Sequence, residues 1–83
     1  MKKSRIRVQE VGPGVFSRER SVSFQVGDKH YTLIVDQDDV GEDNTLAVNV
    51  IAEGEHEALI DLPRDTFTTG NRIRIPKHYL VPA

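Results

Sequence analysis

Residues 21–36 read SVSFQVGDKHYTLIVD. Large apolar side chains recur at every second position on both sides of Gly27-Asp28: Val22, Phe24 and Val26 before it, Tyr31 and Leu33 after it. Strict alternation of this kind marks a half-buried strand. A two-residue loop at Gly27-Asp28 pairs Val26 with Lys29, Phe24 with Tyr31 and Val22 with Leu33. All the large apolar groups then share one face. The other face receives Gln25 with His30 and Ser23 with Thr32. Glycine in the first central position suits a type II′ turn, whose twist matches that of the flanking strands.

The same period of two spreads outward from this hairpin. In TLAVNVIAEGEHEALIDLP (45–63), a three-residue loop at 53–55 pairs Val50 with Ala58, Val48 with Ile60 and Leu46 with Leu62. Slipping to a two-residue turn at Glu53-Gly54 would set Val50 against Glu57, so burial favours the longer loop. Gly54 sits more naturally in the shorter loop or in a bulge, and the residues leave that choice open. Ile6 and Val8 alternate with Arg5, Arg7 and Gln9, and Arg72–Ile75 alternates likewise. Gly12-Pro13-Gly14 punctuates the chain, and Pro63 stops a strand. RDTFTTGN (64–71) reads as a turn region, with room for one helical turn. Pro76 opens a short 3₁₀ turn over 76–79, before an extended Leu80-Val81.

Together these predict one all-β domain over residues 1–83, a small antiparallel barrel or two-sheet sandwich of five to seven short strands. The predicted core is Ile6, Val8, Val22, Phe24, Val26, Tyr31, Leu33, Leu46, Val48, Val50, Ala58, Ile60, Leu62, Ile73 and Ile75. A chain this short hides only about 60–65% of its unfolded surface. Apolar content is 37% with no Trp, so the core is thin and a partner subunit would help it.

With no cysteine, disulfide frameworks, cysteine zinc sites and thiol nucleophiles are excluded. MKKSRIRVQE carries basic residues without a following apolar run, so no secretory signal is expected. No stretch approaches the length of a membrane helix. The default expectation is a cytoplasmic protein without membrane contact. The net charge of −2 conceals a segregation: residues 1–20 carry +4, residues 21–63 carry −9 and residues 64–83 carry +3.

The acidic middle peaks at DQDDVGEDNT (36–45). Asp36, Asp38 and Gly41 match positions one, three and six of a calcium loop. Val40 and Ala47 occupy the fifth and twelfth positions, where ligands are required, and the flanks are strands. The expectation is a charged, self-repelling connection between hairpins, with residues 36–43 at most a weak divalent-cation site. His30, His56 and His78 lie in separate segments without metal-ligand spacing. No nucleophile elbow or phosphate loop occurs. Neither a catalytic residue, a metal site nor a cofactor is expected, and the chain is read as a non-enzyme.

SRIRVQ (4–9) and NRIRIP (71–76) echo each other. If the two strands were neighbours, Arg5, Arg7, Arg72 and Arg74 would share a surface able to bind phosphate backbones. The competing reading is intramolecular: the basic ends cover the acidic middle, with Glu57 and Asp61 turned outward as partners. The aromatic residues do not interleave with these arginines, so base-stacking platforms are missing.

GNRIRIPKHYL (70–80) resembles the opening of the AbrB-type swapped-hairpin regulators, and VGDKHYTLIVD (26–36) is similar to their closing strand. The order of the two segments is reversed here, and no DNA-binding residue is carried across. The coarse layout resembles an SH3-like barrel, with a 3₁₀ turn before the last strand, but without recognisable peptide-groove residues. The expected function is therefore a non-catalytic protein-interaction or assembly module, its partner another protein or a second copy of itself as a homodimer. A nucleic-acid-binding module is the alternative, and a small enzyme is disfavoured.

Overall fold

The computed structural model describes residues 2–81. Eight strands form: β1 (Lys2–Arg7), β2 (Glu10–Pro13), β3 (Glu19–Val26), β4 (Lys29–Asp36), β5 (Thr45–Glu53), β6 (Glu57–Asp61), β7 (Arg72–Pro76) and β8 (Leu80–Val81). They build two antiparallel sheets, one in the order β7-β6-β5-β1-β8 and one in the order β2-β3-β4. The arrangement is sandwich-like and does not close into a barrel, so the SH3-like layout gives way to an open two-layer one.

The hairpin of β3 and β4 has the register that alternation predicts, from Val26↔Lys29 through Phe24↔Tyr31 to Val22↔Leu33. Gly27 has φ +61°, while Asp28 stays at negative φ. One positive φ in the first central position is the II′ signature, and a side chain there would be strained. Phe24 and Tyr31 stack with ring centroids 5.3 Å apart. Val26, at the turn end, is half-buried and packs against the core rather than within it. Val35 continues the run of Tyr31 and Leu33 and is fully buried, an inward position that the predicted core omits.

The second hairpin differs in pairing. Val50 lies opposite Ile60 instead of Ala58, and Asn49 opposite Asp61. Beyond a bulge at Ile51, Ala52 faces Leu59 and Glu53 faces Ala58. The loop is Gly54-Glu55-His56, closed by a Gly54 N–H bond to the Glu57 carbonyl (2.8 Å). Up to the bulge the displacement is two residues, which keeps each side chain on its face. Leu46, Val48, Val50, Ala58, Ile60 and Leu62 are therefore buried as expected although their partners are not.

One short strand takes the count past the expected five to seven. The Gly12-Pro13 segment is not mere punctuation but part of β2, paired with β3 through Val11↔Val22. Proline is tolerated there because β2 is a sheet edge. Residues 64–71 form bends and no helical turn. The 3₁₀ turn spans Lys77–Tyr79, with Pro76 at its head.

The chain crosses between the sheets twice, at Val8-Gln9 and through residues 37–44. The two crossings are adjacent, since Val8 N–H bonds the Asn44 carbonyl (3.0 Å) and Arg7 pairs with Thr45. Inward residues of both sheets form one core. The buried polar side chains are bonded. Ser4 Oγ donates to the Val81 carbonyl (3.2 Å), and Thr66 Oγ1 donates to the Thr69 carbonyl (2.8 Å) while accepting from Thr69 N–H (3.0 Å). GNRIRIPKHYL does not make a swapped hairpin: β7 and β8 lie on opposite edges of the five-stranded sheet.

Candidate functional site

The four arginines singled out by sequence do not converge. β1 and β7 are separated by β5 and β6, which at the usual strand spacing puts them about 14 Å apart. Arg5 and Arg7 project from the same face of the sheet as Arg72 and Arg74, but two of the four are engaged within the chain. Arg72 holds Asp61 on the adjacent strand through two bonds, Nε to Oδ1 (2.7 Å) and Nη2 to Oδ2 (3.0 Å). This hydrogen bond holds the Asp61 carboxyl below its ordinary value and raises the Arg72 guanidinium.

Arg5 reaches the acidic segment. Its Nε donates to Thr45 Oγ1 (2.6 Å), and its Nη2 donates to the carbonyls of Asp39 (3.3 Å) and Thr45 (3.1 Å). Thr45 Oγ1 in turn donates to Asp43 Oδ1 (2.7 Å), the main cause of a lowered Asp43 pKa. Gly41 lies so close that a Cβ there would sit 2.8 Å from Thr45 Oγ1 and 2.9 Å from Arg5 Nη2.

Residues 36–45 are accordingly folded and not an extended, self-repelling connection. Asp36 caps a 3₁₀ turn at Gln37–Asp39 by accepting Asp38 N–H (2.9 Å). Val40 bridges to Leu46, and a turn over 41–44 places Asn44 in the left-handed region at φ 58°. Asparagine is among the few side chains that accept that conformation. Arginines supply the opposing charge: Arg18 lies 3.0 Å from Asp38 and 3.6 Å from Asp36, and Arg20 donates to the Gln37 side chain (3.2 Å). Among the described residues, no three acidic or histidine side chains converge as a metal-binding group.

A different region presents a concave surface. Where β7 and β4, each the last strand of its sheet, face one another, a groove of about 860 Å³ opens. Val26, Tyr31 and Ile73 line it as an apolar floor, Leu59 adds an apolar group on the outer face opposite Arg74, and Thr68 and Thr69 also line it. Exposed charge stands on the rim, Lys29, Arg72 and Arg74 against Asp28 and Glu57, with the His30 side chain beside them. Arg72 is paired with Asp61, whereas Arg74 lies opposite Leu59 and makes no ion pair among the described residues.

The backbone at this groove is as informative as the side chains. Leu62 N–H bonds the Asn71 carbonyl (2.7 Å) and Lys77 N–H bonds the His56 carbonyl (2.8 Å). Bonded pairs alternate along an antiparallel ladder. Ile73 and Ile75 therefore bond β6, while the N–H and C=O groups of Arg72 and Arg74 point away from the sheet. By the same alternation from the Gly27-Asp28 turn, His30, Thr32 and Ile34 turn their backbone groups off the edge of β4. Among the described residues that edge is covered only at Thr32, whose carbonyl accepts Phe67 N–H (2.9 Å). The sequence reading marked Arg72 and Arg74 but not Tyr31, Val26 or Lys29 as their neighbours, because that adjacency depends on how the two sheets stack.

No family model matches the chain, and neither a curated protein nor a solved structure is similar to it at a significant level. Among the described residues, no helix is long and apolar enough to cross a membrane.

Proposed function

We propose that this domain is a non-catalytic protein-interaction module that takes an extended segment of another protein into the groove between β4 and β7. The observation that carries this reading is the pair of edge strands facing each other across an apolar floor with a charged rim. Extended peptides bind sheet edges through main-chain hydrogen bonds, with alternate side chains entering pockets. Here the floor residues Tyr31 and Ile73 are buried and the charged groups stand outside it. Such an arrangement suits contacts spread along a chain better than a single reacting centre. A nucleic-acid reading loses support with the dispersal of Arg5, Arg7, Arg72 and Arg74 over non-adjacent strands, two of them already bonded.

The test is selection of a random peptide library on the immobilised domain, followed by mapping of the selected peptides by backbone amide shifts. Shifts clustered at Lys29, His30, Thr69, Arg72 and Arg74 support the groove. Failure to enrich any peptide, or shifts centred elsewhere, defeats it.

A further inference from the structure

We infer that the partner segment adds to the free edge of β7 as a strand whose side chains alternate acidic and apolar, and that this edge rejects a second copy of itself. The inference rests on the groove reading above and specifies its ligand.

The backbone sets the first half of the pattern. Arg72 and Arg74 offer the outward N–H and C=O groups, so the incoming residues opposite them make the main-chain bonds. Directly opposed residues share a face of the sheet, with Cβ atoms about 4.5–5.5 Å apart. Those incoming residues therefore lie beside the Arg72 and Arg74 side chains on the outer face. Asp61 on β6 already shows what that face accepts, a carboxylate held at 2.7 and 3.0 Å by Arg72. Arg74, opposite Leu59, has no such partner among the described residues. Glutamate or aspartate beside it supplies the missing charge.

The incoming residue between the two acids falls opposite Ile73 and points to the inner face. There it meets Tyr31 and Val26 on the floor, an apolar surface that calls for a Val, Ile or Leu side chain. The ligand is thus acidic–apolar–acidic. Pro76 limits its length at one end. As an outward-facing position in the alternation it has no N–H to offer, so the ladder stops after Arg74.

Self-pairing fails on the same geometry. In any antiparallel register that uses the free backbone groups of both Arg72 and Arg74, an arginine of one copy falls opposite an arginine of the other. Like charges directly opposed are destabilising, and charged edges are a common guard against sheet-to-sheet association.

The probes are three synthetic peptides with blocked ends: Ser-Glu-Val-Glu-Ser, the same peptide N-methylated at both Glu residues, and Ser-Lys-Val-Lys-Ser. Each is titrated into the ¹⁵N-labelled domain. The Glu peptide is expected to shift the Arg72 and Arg74 amides most. Removing its two N–H donors, or replacing its acids by lysines, is expected to weaken binding about tenfold or more. Arg74→Glu, at an exposed position, is expected to reverse the preference between the Glu and Lys peptides while leaving the remaining spectrum in place. Equal binding of the N-methylated peptide overturns strand addition. Shifts at the separate cleft between Phe24 and Tyr79 overturn the choice of edge. If the library selection yields groove binders while none of the three probes binds, the module stands and the alternating pattern falls.

Discussion

Arg5 and Arg72 look alike in sequence, each the first arginine of an Arg-Ile-Arg triplet, yet they do different things. Arg72 pairs across one ladder step with Asp61, a contact that cross-strand charge pairing made legible. Arg5 bonds Thr45, forty positions along the chain, and nothing local announces it. The sequence therefore assigns Arg5 to an outward basic patch when its work is to fasten an acidic turn. Both fastenings leave a mark in acid. Asp61 and Asp43 have pKa values below the ordinary 3.8, through bonds from Arg72 and Thr45 respectively. A carboxylate with a depressed folded-state pKa contributes stability that is complete above its unfolded pKa, near 4. That contribution drains away as pH falls through the lower folded value. The wild type should thus unfold at higher temperature than an Asp43→Asn, Asp61→Asn double variant at neutral pH, with the two melting curves converging in acid. Parallel curves at every pH would remove these carboxylates from the acid response. Both sites are partly open to solvent, so added salt should narrow the neutral-pH difference.

At the scale of strands, alternation carried far but not all the way. It placed the inward face of every long strand, and the β3–β4 turn chemistry fixed the register of that hairpin. It could not settle β5 against β6. Periodicity is blind to displacements of two residues, and the bulge at Ile51 leaves no signature in an apolar run. Nor could it anticipate β2, whose Gly-Pro content reads as a break and is acceptable only because the strand is an edge. The groove was illegible for a related reason: β4 and β7 are far apart in sequence and meet only through sheet stacking. The ladder does allow a sharp expectation there. Amide protons of Ile73 and Ile75, bonded to β6, should exchange with solvent much more slowly than those of Arg72 and Arg74. On β4, Tyr31, Leu33 and Val35 should be protected while His30 and Ile34 exchange. Uniform protection along β7 would mean that its outer edge is covered, leaving no vacancy for an incoming strand.

For the molecule as a whole, stability rests on a single layer of side chains between two small sheets. Phe24 and Tyr31 from one sheet, Ile6, Leu46 and Ile60 from the other, and their neighbours make up that layer. Domains of this size are held by roughly 0.05–0.15 kcal/mol per residue. Truncating a large buried aromatic costs about 3–5 kcal/mol. Phe24→Ala should therefore remove a large part of the margin, lowering the urea midpoint sharply without changing the slope of the transition. A loss under about 1 kcal/mol would indicate that the sheets do not depend on this contact. The fold class was readable because burial acts through period two everywhere at once. The open form of the sandwich was not, since closure depends on how edge strands meet and the same pattern serves a barrel equally well.

The two passages between sheets, at Val8-Gln9 and through residues 37–44, are neighbours where they leave the five-stranded sheet. Within its own sheet, each hairpin turn, Gly27-Asp28 or Gly54–His56, lies at the end of its strands away from residues 37–44. The molecule is therefore built like a pair of tongs. Its jaws share a covalent pivot, and along their free flank the main chain joins them at Phe67 and Thr32. Thermal motion should spread the tips more than the pivot, so a guest lodged between them would quiet the whole protein by gripping where it is loosest.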